Sequence, residues 1–450
     1  MSANESGNGM LPEMTTTPAP SPVNRQTGPK TMVRALRNRN YRLFFFGQGA
    51  SLVGTWMQRV ALAWLVYGLT DSEWMLGVVG FAGMICTFLL APVAGVLADR
   101  VNRRGLIVGT QALAMTQAFL LAGLTLSGGI AVWQIIALSA VLGLINAFDI
   151  PTRQSFVVDM LESRDDLPNA IALNSFLVNG AKLAGPALGG ALVAVAGEGL
   201  CFLLNGLTFL AVIAALLAMR LQPSAIARTD GNLLTHFREG LGYAMGFGPI
   251  RLVLGLLAVI SLLGMSVNVL MPVFARDILA GGPETLGWLT AATGIGAIAA
   301  ALFLVSRRSV VGMGRRMAVA CALMGLCLIA FAFSQQLWIS LALLAGAGFG
   351  TMIQLVSANT TLQTIVDDDK RGRVMSLYTM CFMGMGPFGS LLMGALARWW
   401  GAPTAMMISG AGCILAALAF ASRLPVFDRQ VRPVYVRKGA LADVKPATAP

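Results

Sequence analysis

Two cations stand where a membrane interior is expected. The stretch "GTWMQRVALAWLVYGL", beginning at Gly54, places Arg59 in an apolar run from Leu43 to Leu69 that carries no other charge. Lys182 lies well inside a second apolar run, 170–196. A cation near mid-membrane costs at least about 2.5 to 3.5 kcal/mol, so each should face protein or a wet cavity. At about 100° per residue, Gln48, Ser51, Thr55 and Arg59 share one helical arc, and Ser175, Asn179 and Lys182 share another. No Asp or Glu occupies the middle of an apolar run, the nearest being Asp99, Asp149 and Glu198 at run ends. The chemistry this suits is recognition of an anion, with the missing counter-charge supplied by a bound small molecule. The alternative, that the two cations snorkel to the surface or cap backbone carbonyls between helices, stays open.

The elements that must position these residues follow from composition. Of 450 residues, 56% are hydrophobic and 12% charged, and the mean hydropathy is +0.73. Globular domains carry roughly 25% charged residues, so this is a membrane protein. Twelve apolar stretches can be marked, near 43–69, 75–98, 105–126, 131–149, 170–196, 199–219, 252–275, 285–305, 317–333, 337–359, 374–397 and 403–421. Each approaches the roughly 17 to 25 residues a tilted helix needs to cross. They are apolar on most faces rather than alternating, which argues for helices over a β-barrel. The first 31 residues are polar, rich in Ser, Thr and Pro, and lack the apolar core of a signal peptide. They read as a disordered tail, as does Pro425–Pro450. The expected organisation is a tail over 1–34, one six-helix half over 35–220, a linker over 221–250, a second half over 251–422 and a tail over 423–450.

All but four of the 32 Lys and Arg residues fall in the two tails and in alternate loops, which places that side, with both termini, in the cytoplasm. This asymmetry accounts for the formal charge of +12 without a nucleic-acid partner. All six cysteines fall inside spans with no metal-ligand or CxxC spacing, so no metal site is expected and they read as packing residues. No GxxxxGK[ST] motif offers ATP drive, and no cofactor is implied. In the linker, Leu233, Phe237, Leu241, Ala244 and Met245 recur at helical spacing opposite His236, Arg238 and Glu239, predicting an amphipathic helix on the membrane face.

The chain also repeats itself. "SLVG" at Ser51 returns as "SLLG" at Ser261, "LG" at Leu76 returns at Leu286, and "GP" at Gly185 returns at Gly386. Ordered matches at nearly constant offset argue for a duplicated six-span unit. Duplicated halves with a site at their interface are the arrangement of a secondary transporter.

Several motifs carry a resemblance. "GVLADRVNRRGLI", from Gly95, is similar to the loop signature of the major facilitator superfamily, with Asn102 where glycine is usual. "LVSRRSVVGMGRR", from Leu304, resembles a degenerate second copy without the acid. "NSFLVNGAKLAGPALGGAL" resembles the exporter-associated signature around Gly185, Pro186, Gly189 and Gly190, with Ala181 replacing one expected glycine. "FDIPTRQSFVVDM", "DLPNAIALNS" and "RGRVMSLY" add a likeness to the bacterial exporter branch that includes the enterobactin exporter and macrolide efflux proteins. The likeness runs from about Ala35 to Ser422.

The resemblance implies an all-α fold of twelve transmembrane helices in two pseudo-symmetric halves, in the bacterial inner membrane. It implies alternating access, with Asp99, Arg100, Arg103, Arg104, Arg371 and Arg373 as a cytoplasmic gate between the halves. Gly185, Pro186, Gly189, Gly190, Gly386 and Pro387 would serve close packing or switching. A proton is the implied coupling partner, with Asp149 as carrier or, equally, as a structural partner of Arg153. Span four lacks the interior arginine that many drug/proton antiporters use. The expectation is a monomeric carrier exporting a siderophore-like or drug-like compound with anionic or phenolic groups, and so a drug-resistance or siderophore-export function. An importer of an organic anion is the alternative within the class. A membrane enzyme or non-transporting sensor is disfavoured, because no span holds a histidine or central carboxylate.

Overall fold

The computed structural model describes residues 33–220, 233–305 and 312–438, apart from the side chains of 91–93, 95–100, 164, 233–238 and 305. Among them the protein is all helix, and every apolar stretch marked in the sequence lies in one. The crossings are α1 (Arg39–Thr70), α2 (Glu73–Arg100), α3 (Arg103–Leu126), α4 (Val132–Asp159), α5 and α6 (167–196 and 198–218 within Leu167–Ala218), α7 (Gly248–Ile278), α8 (Pro283–Val305), α9 (Met313–Ala332), α10 (Leu337–Ile365), α11 (Arg371–Trp400) and α12 (Ala402–Ser422).

By length and apolarity ten helical segments among the described residues qualify as spans, and two further facts relate that figure to the twelve stretches. The Leu167–Ala218 segment is 52 residues long, about 78 Å if straight and over twice the hydrocarbon thickness. It is broken at Gly197, where φ is 77°. Only glycine adopts such a backbone freely. Cys201 Sγ lies 3.7 Å from the Gly189 carbonyl, which twelve residues of straight helix would hold about 18 Å away, so the chain doubles back. The other fact is α1, whose 32 residues carry Arg39, Arg42 and Arg59 among several polar groups and which packs along α5 and α6 instead of meeting lipid all round.

The start of α1, the residues after α6, the start of α7 and the segment after α12 share one face, here called the terminal face. Asn40, at the start of α1, exchanges hydrogen bonds with Arg220 after α6, and Gly248, opening α7, sits against Gln430 beyond α12. Exposed Trp133, Trp288, Trp338, Trp399 and Trp400 gather at the ends of α4, α8, α10 and α11 on the opposite face, as an interfacial belt. The unusual Asn102 of the loop signature has a local role: its side chain accepts from the Gly105 N–H at 3.2 Å and caps α3.

Two surface helices complete the fold. A linker helix spans Leu233–Gly246, with Ala244 buried and Leu241 and Met245 exposed, and the side chains of its first six residues lie outside the described residues. A second helix, Leu424–Arg437, corrects the reading of that stretch as part of a structureless tail, and 439–450 lie outside the described residues. Phe427, Val431 and Tyr435 recur every four residues and are buried under the second half, with Phe427 against Gly314 and Phe420. Three apolar contacts in 14 residues were hidden in the sequence among its arginines and two prolines.

Candidate substrate path and gates

α1 and α5 meet backbone to backbone because α5 offers glycines. A methyl group on Gly185 would lie 2.4 Å from Trp56 Cβ, and one on Gly189 would lie 2.8 Å from Met57 Cα. This approach brings the two sequence-predicted cations together: Lys182 is within range of the Arg59 charge. The Arg59 guanidinium stacks over the Trp56 ring at 4.6 Å. Arg59 has protein around it yet keeps open surface, and Lys182 is half-buried. Among the described residues neither forms an ion pair with a carboxylate. Two like charges side by side in a partly desolvated space repel, and an anion placed between them relieves that cost.

The polar arc on α1 does not act as one surface. Thr55 is half-buried with its hydroxyl on the Ser51 carbonyl at 2.8 Å, whereas Gln48 and Ser51 are each only 2% exposed. Gln48 and Ser51 therefore lie within helix packing and do not line open space, contrary to their expected place in the cavity. The spacing gave their angle correctly but not which neighbours would cover that angle. On α5, Ser175 and Asn179 bond carbonyls of their own helix, Ile171 at 2.9 Å and Ser175 at 2.8 Å, and stay accessible beside Lys182.

A buried amide ladder was missed. Asn205 Nδ2 donates to Gln58 Oε1 at 2.7 Å, Gln58 Nε2 to Gln117 Oε1 at 3.2 Å, and Gln117 Nε2 to the Leu138 carbonyl at 3.3 Å. It ties α6, α1, α3 and α4 together. The signal available in the sequence was three amides inside apolar runs, each needing partners. Asp149 is likewise enclosed, at 3% exposure. It accepts from Thr110 at 3.0 Å and Gln111 at 2.8 Å and pairs with Arg153 at 3.2 Å, so the Arg153 partnership is observed.

The halves touch through matched glycines. Gly77 of α2 faces Gly394 of α11, where an added methyl would lie 3.1 Å from the Gly394 Cα. Gly287 of α8 faces Gly190 of α5, where it would lie 3.1 Å from the Gly190 Cα and 2.5 Å from the Pro186 carbonyl. Gly77 and Gly287 are the glycines of the repeated "LG", so the repeat places one contact in each half. Among the described residues the inter-half approaches run from the opposite face to mid-helix, ending near the Phe88–Phe388 edge contact at 5.7 Å and the Gly294–Leu183 approach. At the opposite face the chains are also latched: Arg276 of α7 pairs with Asp71 after α1, stacks 4.3 Å over Tyr67, and Tyr67 donates to Asp277. No motif or spacing in the sequence marks these four residues, which lie up to 210 positions apart.

At the terminal face Arg103, Arg104 and Arg371 have partners in their own halves, and Arg373 has one on the linker helix. Arg103 pairs with Asp159 at 3.3 Å, and Arg104 donates to the Leu217 carbonyl at 2.8 Å. Arg371 pairs with Asp368, and Arg373 meets Glu239 of the linker helix at 2.7 Å. The side chains of Asp99 and Arg100 lie outside the described residues, and with them the expected contact to α11. Pro186 and Pro387 both sit buried inside helices, and Gly386 faces Met84 of α2, where a methyl would lie 2.7 Å from Cε.

Two halves of long apolar helices, packed against each other through glycines, define a membrane carrier. The family model described as transmembrane secretion effector, within the major facilitator superfamily, matches residues 30–443, and the chain belongs to that family. It is 26% identical over 386 residues to the staphyloferrin A transporter of Staphylococcus aureus, covering 84% of this chain and 95% of that one. It is 25% identical to the multidrug efflux pump Tap of Mycolicibacterium fortuitum, covering 79% and 88%. In fold it resembles a crystal structure of a POT family transporter in complex with 5-aminolevulinic acid, with a TM-score of 0.70 at 10% identity over 87% and 97% of the chains. It also resembles the nucleoside transporter NupG, at 0.66 and 13% over 86% and 99%. These relatives are transporters, and the protein is a multi-pass membrane transporter of small molecules.

Proposed function

We propose that this protein exports a small organic anion across the bacterial cytoplasmic membrane by alternating access. Arg59 and Lys182 form the recognition site, with Thr55, Ser175 and Asn179 beside them. The observation that carries this reading is the pair of neighbouring cations without a carboxylate partner. The concentration of Lys and Arg on the terminal face supports a cytoplasmic placement of both termini. The halves 35–220 and 251–422, joined by 221–250, move against each other. The contacts described above correspond to the state closed at the opposite face, with Asp99, Arg100, Arg103, Arg104, Arg371 and Arg373 forming the gate of the other state. Gly185, Pro186, Gly189, Gly190, Gly386 and Pro387 are the packing positions about which the helices turn. The names of the relatives, a siderophore transporter and drug efflux pumps, support export of a siderophore-like or drug-like cargo. A proton is the coupling ion in this reading, with Asp149 as its site and a monomer as the working unit.

The test uses the purified chain and a matched pair, 3,4-dihydroxybenzoate and its neutral amide. Arg59→Gln raises the half-saturating concentration of the benzoate about tenfold or more and that of the amide little. Arg59→Lys restores part of the loss, because the charge remains while the planar fork is lost. Equal losses for both probes would falsify charge recognition. Uptake into everted vesicles on acidification of their lumen separates export from import.

A further inference from the structure

The C-terminal half holds a cavity whose α10 lining the reading above does not use, although its Arg371 belongs to the gate. Val356, Asn359, Thr360, Gln363 and Thr364 recur along α10 at the spacing of one helical face and, with Arg371 at the start of α11, line a space of about 410 Å³. Ligand sites commonly measure about 300 to 1,000 Å³.

The direction of this face follows from what packs on the others. α9 lies behind α10: Gly350 sits against Ala320 and Met324, and Thr361 reaches Met313. α8 packs on α10 at Gly348 through Thr293, and Tyr378 of α11 donates to the Leu355 carbonyl. α8 and α11 are also the helices that touch the first half, through Gly287 and Gly394. The lining residues lie beyond these contacts along α10, on the terminal-face side of the Arg59–Lys182 site.

The lining is poised for an outside partner. Gln363 Nε2 donates to Asn359 Oδ1 at 2.6 Å, which leaves Asn359 Nδ2 as a donor and Gln363 Oε1 as an acceptor with no further partner among the described residues. The Thr364 hydroxyl is turned onto the Thr360 carbonyl at 2.7 Å, while the Thr360 hydroxyl has no such bond. Arg371 is 46% exposed and its Asp368 partner 82%, so their pair is a weak, solvated one that a better anion can displace. One cation flanked by amides and a hydroxyl, with a single apolar residue, fits a carboxylate carrying neighbouring hydroxyl or amide groups. An apolar cation would find repulsion and little surface to bury.

We infer that Asn359, Thr360, Gln363 and Arg371 form a loading subsite that takes the carboxylate of a polyoxygenated organic acid before it reaches Arg59 and Lys182. The inference rests on the anion-carrier reading and adds a second, separable contact to it.

The probe is tartrate, a dicarboxylate with two hydroxyls, set against its neutral isostere tartramide. In a full-length chain carrying Val356→Cys, the labelling rate with a small thiol reagent reports occupancy of the cavity. Millimolar tartrate should slow labelling at least threefold and tartramide should not. Adding Arg371→Gln should abolish that protection, Arg371→Lys should keep part of it, and Arg59→Gln should leave it intact. Protection absent from the parent chain, or surviving Arg371→Gln, overturns the subsite. Loss with Arg59→Gln but not with Arg371→Gln would locate the anion at the deeper cations, leaving the carrier reading standing and the subsite disproved. Should Arg371→Gln reduce recovery of folded protein, Asn359→Ala gives the same reading through a smaller loss of protection.

Discussion

The two halves share their supports and differ where they face each other. Gly77 and Gly287 hold the same inter-half position, and Asp166 and Asp367 hold another. Each aspartate follows the fourth helix of its half and anchors the segment preceding that half's first crossing. Asp166 accepts from Asn38 at 2.9 Å and pairs with Arg34. Asp367 accepts from Tyr243 of the linker helix at 3.1 Å and from Arg437 of the final helix at 3.3 Å. The inner faces diverge: the first half carries two cations, and α10 of the second carries amides and hydroxyls. The first helices diverge too, since α1 is regular along its 32 residues while α7 passes through π turns at Ile260–Met265 and Phe274–Ile278 and a 3₁₀ turn at Ser266–Leu270. Scaffold contacts tolerate little change after duplication because a backbone approach admits only glycine. A cavity face tolerates much, because each side chain there answers to cargo.

The largest effect should come from filling the glycine contacts. Gly77→Leu and Gly287→Leu should each bring transport to background in reconstituted vesicles, since neither backbone partner can yield without separating the halves. Disulfide formation between cysteines at Asp71 and Arg276 should fall in both variants. Loss in one and not the other would show that the two contacts are not equivalent.

Breaking the latch is the next step down. Arg276→Gln removes the ion pair to Asp71 and the stacking on Tyr67, and should change transport by roughly two- to tenfold while increasing cysteine labelling at the opposite face. Unaltered labelling would mean that the glycines alone close that face.

A smaller difference separates the paired serines. The Ser261 hydroxyl donates to the Phe382 carbonyl of α11, and Ser409 donates to the Leu263 carbonyl at 3.0 Å, each joining a neighbouring helix to the π turn. Ser51, at the matching place in regular α1, makes no such bridge among the described residues. Ser261→Ala should therefore cost about 1 kcal/mol in thermal or denaturant unfolding and Ser51→Ala less. Equal costs would remove the distinction between α1 and α7.

The smallest effect concerns acid. The Asn38 amide, and after it Arg34, hold the Asp166 carboxyl below its ordinary range. A depressed folded-state value stabilises above the unfolded value, and the gain is lost as pH falls through the folded one. Between about pH 5 and pH 3 the parent chain should lose stability more steeply than Asp166→Asn. Parallel pH profiles would show that the Asp166 clasp contributes nothing to folding.

The sequence by itself determined the membrane setting, the positions of the helices, the duplication and the two unneutralised cations. Hydropathy, periodicity and charge are properties of a chain read locally, and a bilayer imposes them over about 20 residues at a time. It also marked Gly185, Gly189 and Gly190 and the repeated Leu-Gly at Leu76 and Leu286, though not what they touch. Only the tertiary structure decided which polar residues of one arc are covered, so Gln48 and Ser51 are buried while Arg59 meets open space. It alone joined Gln58 to Asn205 across 147 positions and Arg276 to Asp71 across 205, and turned the arginine-rich residues 424–437 into a docked helix. Those outcomes depend on which neighbour fills a given direction, and a helical wheel specifies the direction without the neighbour.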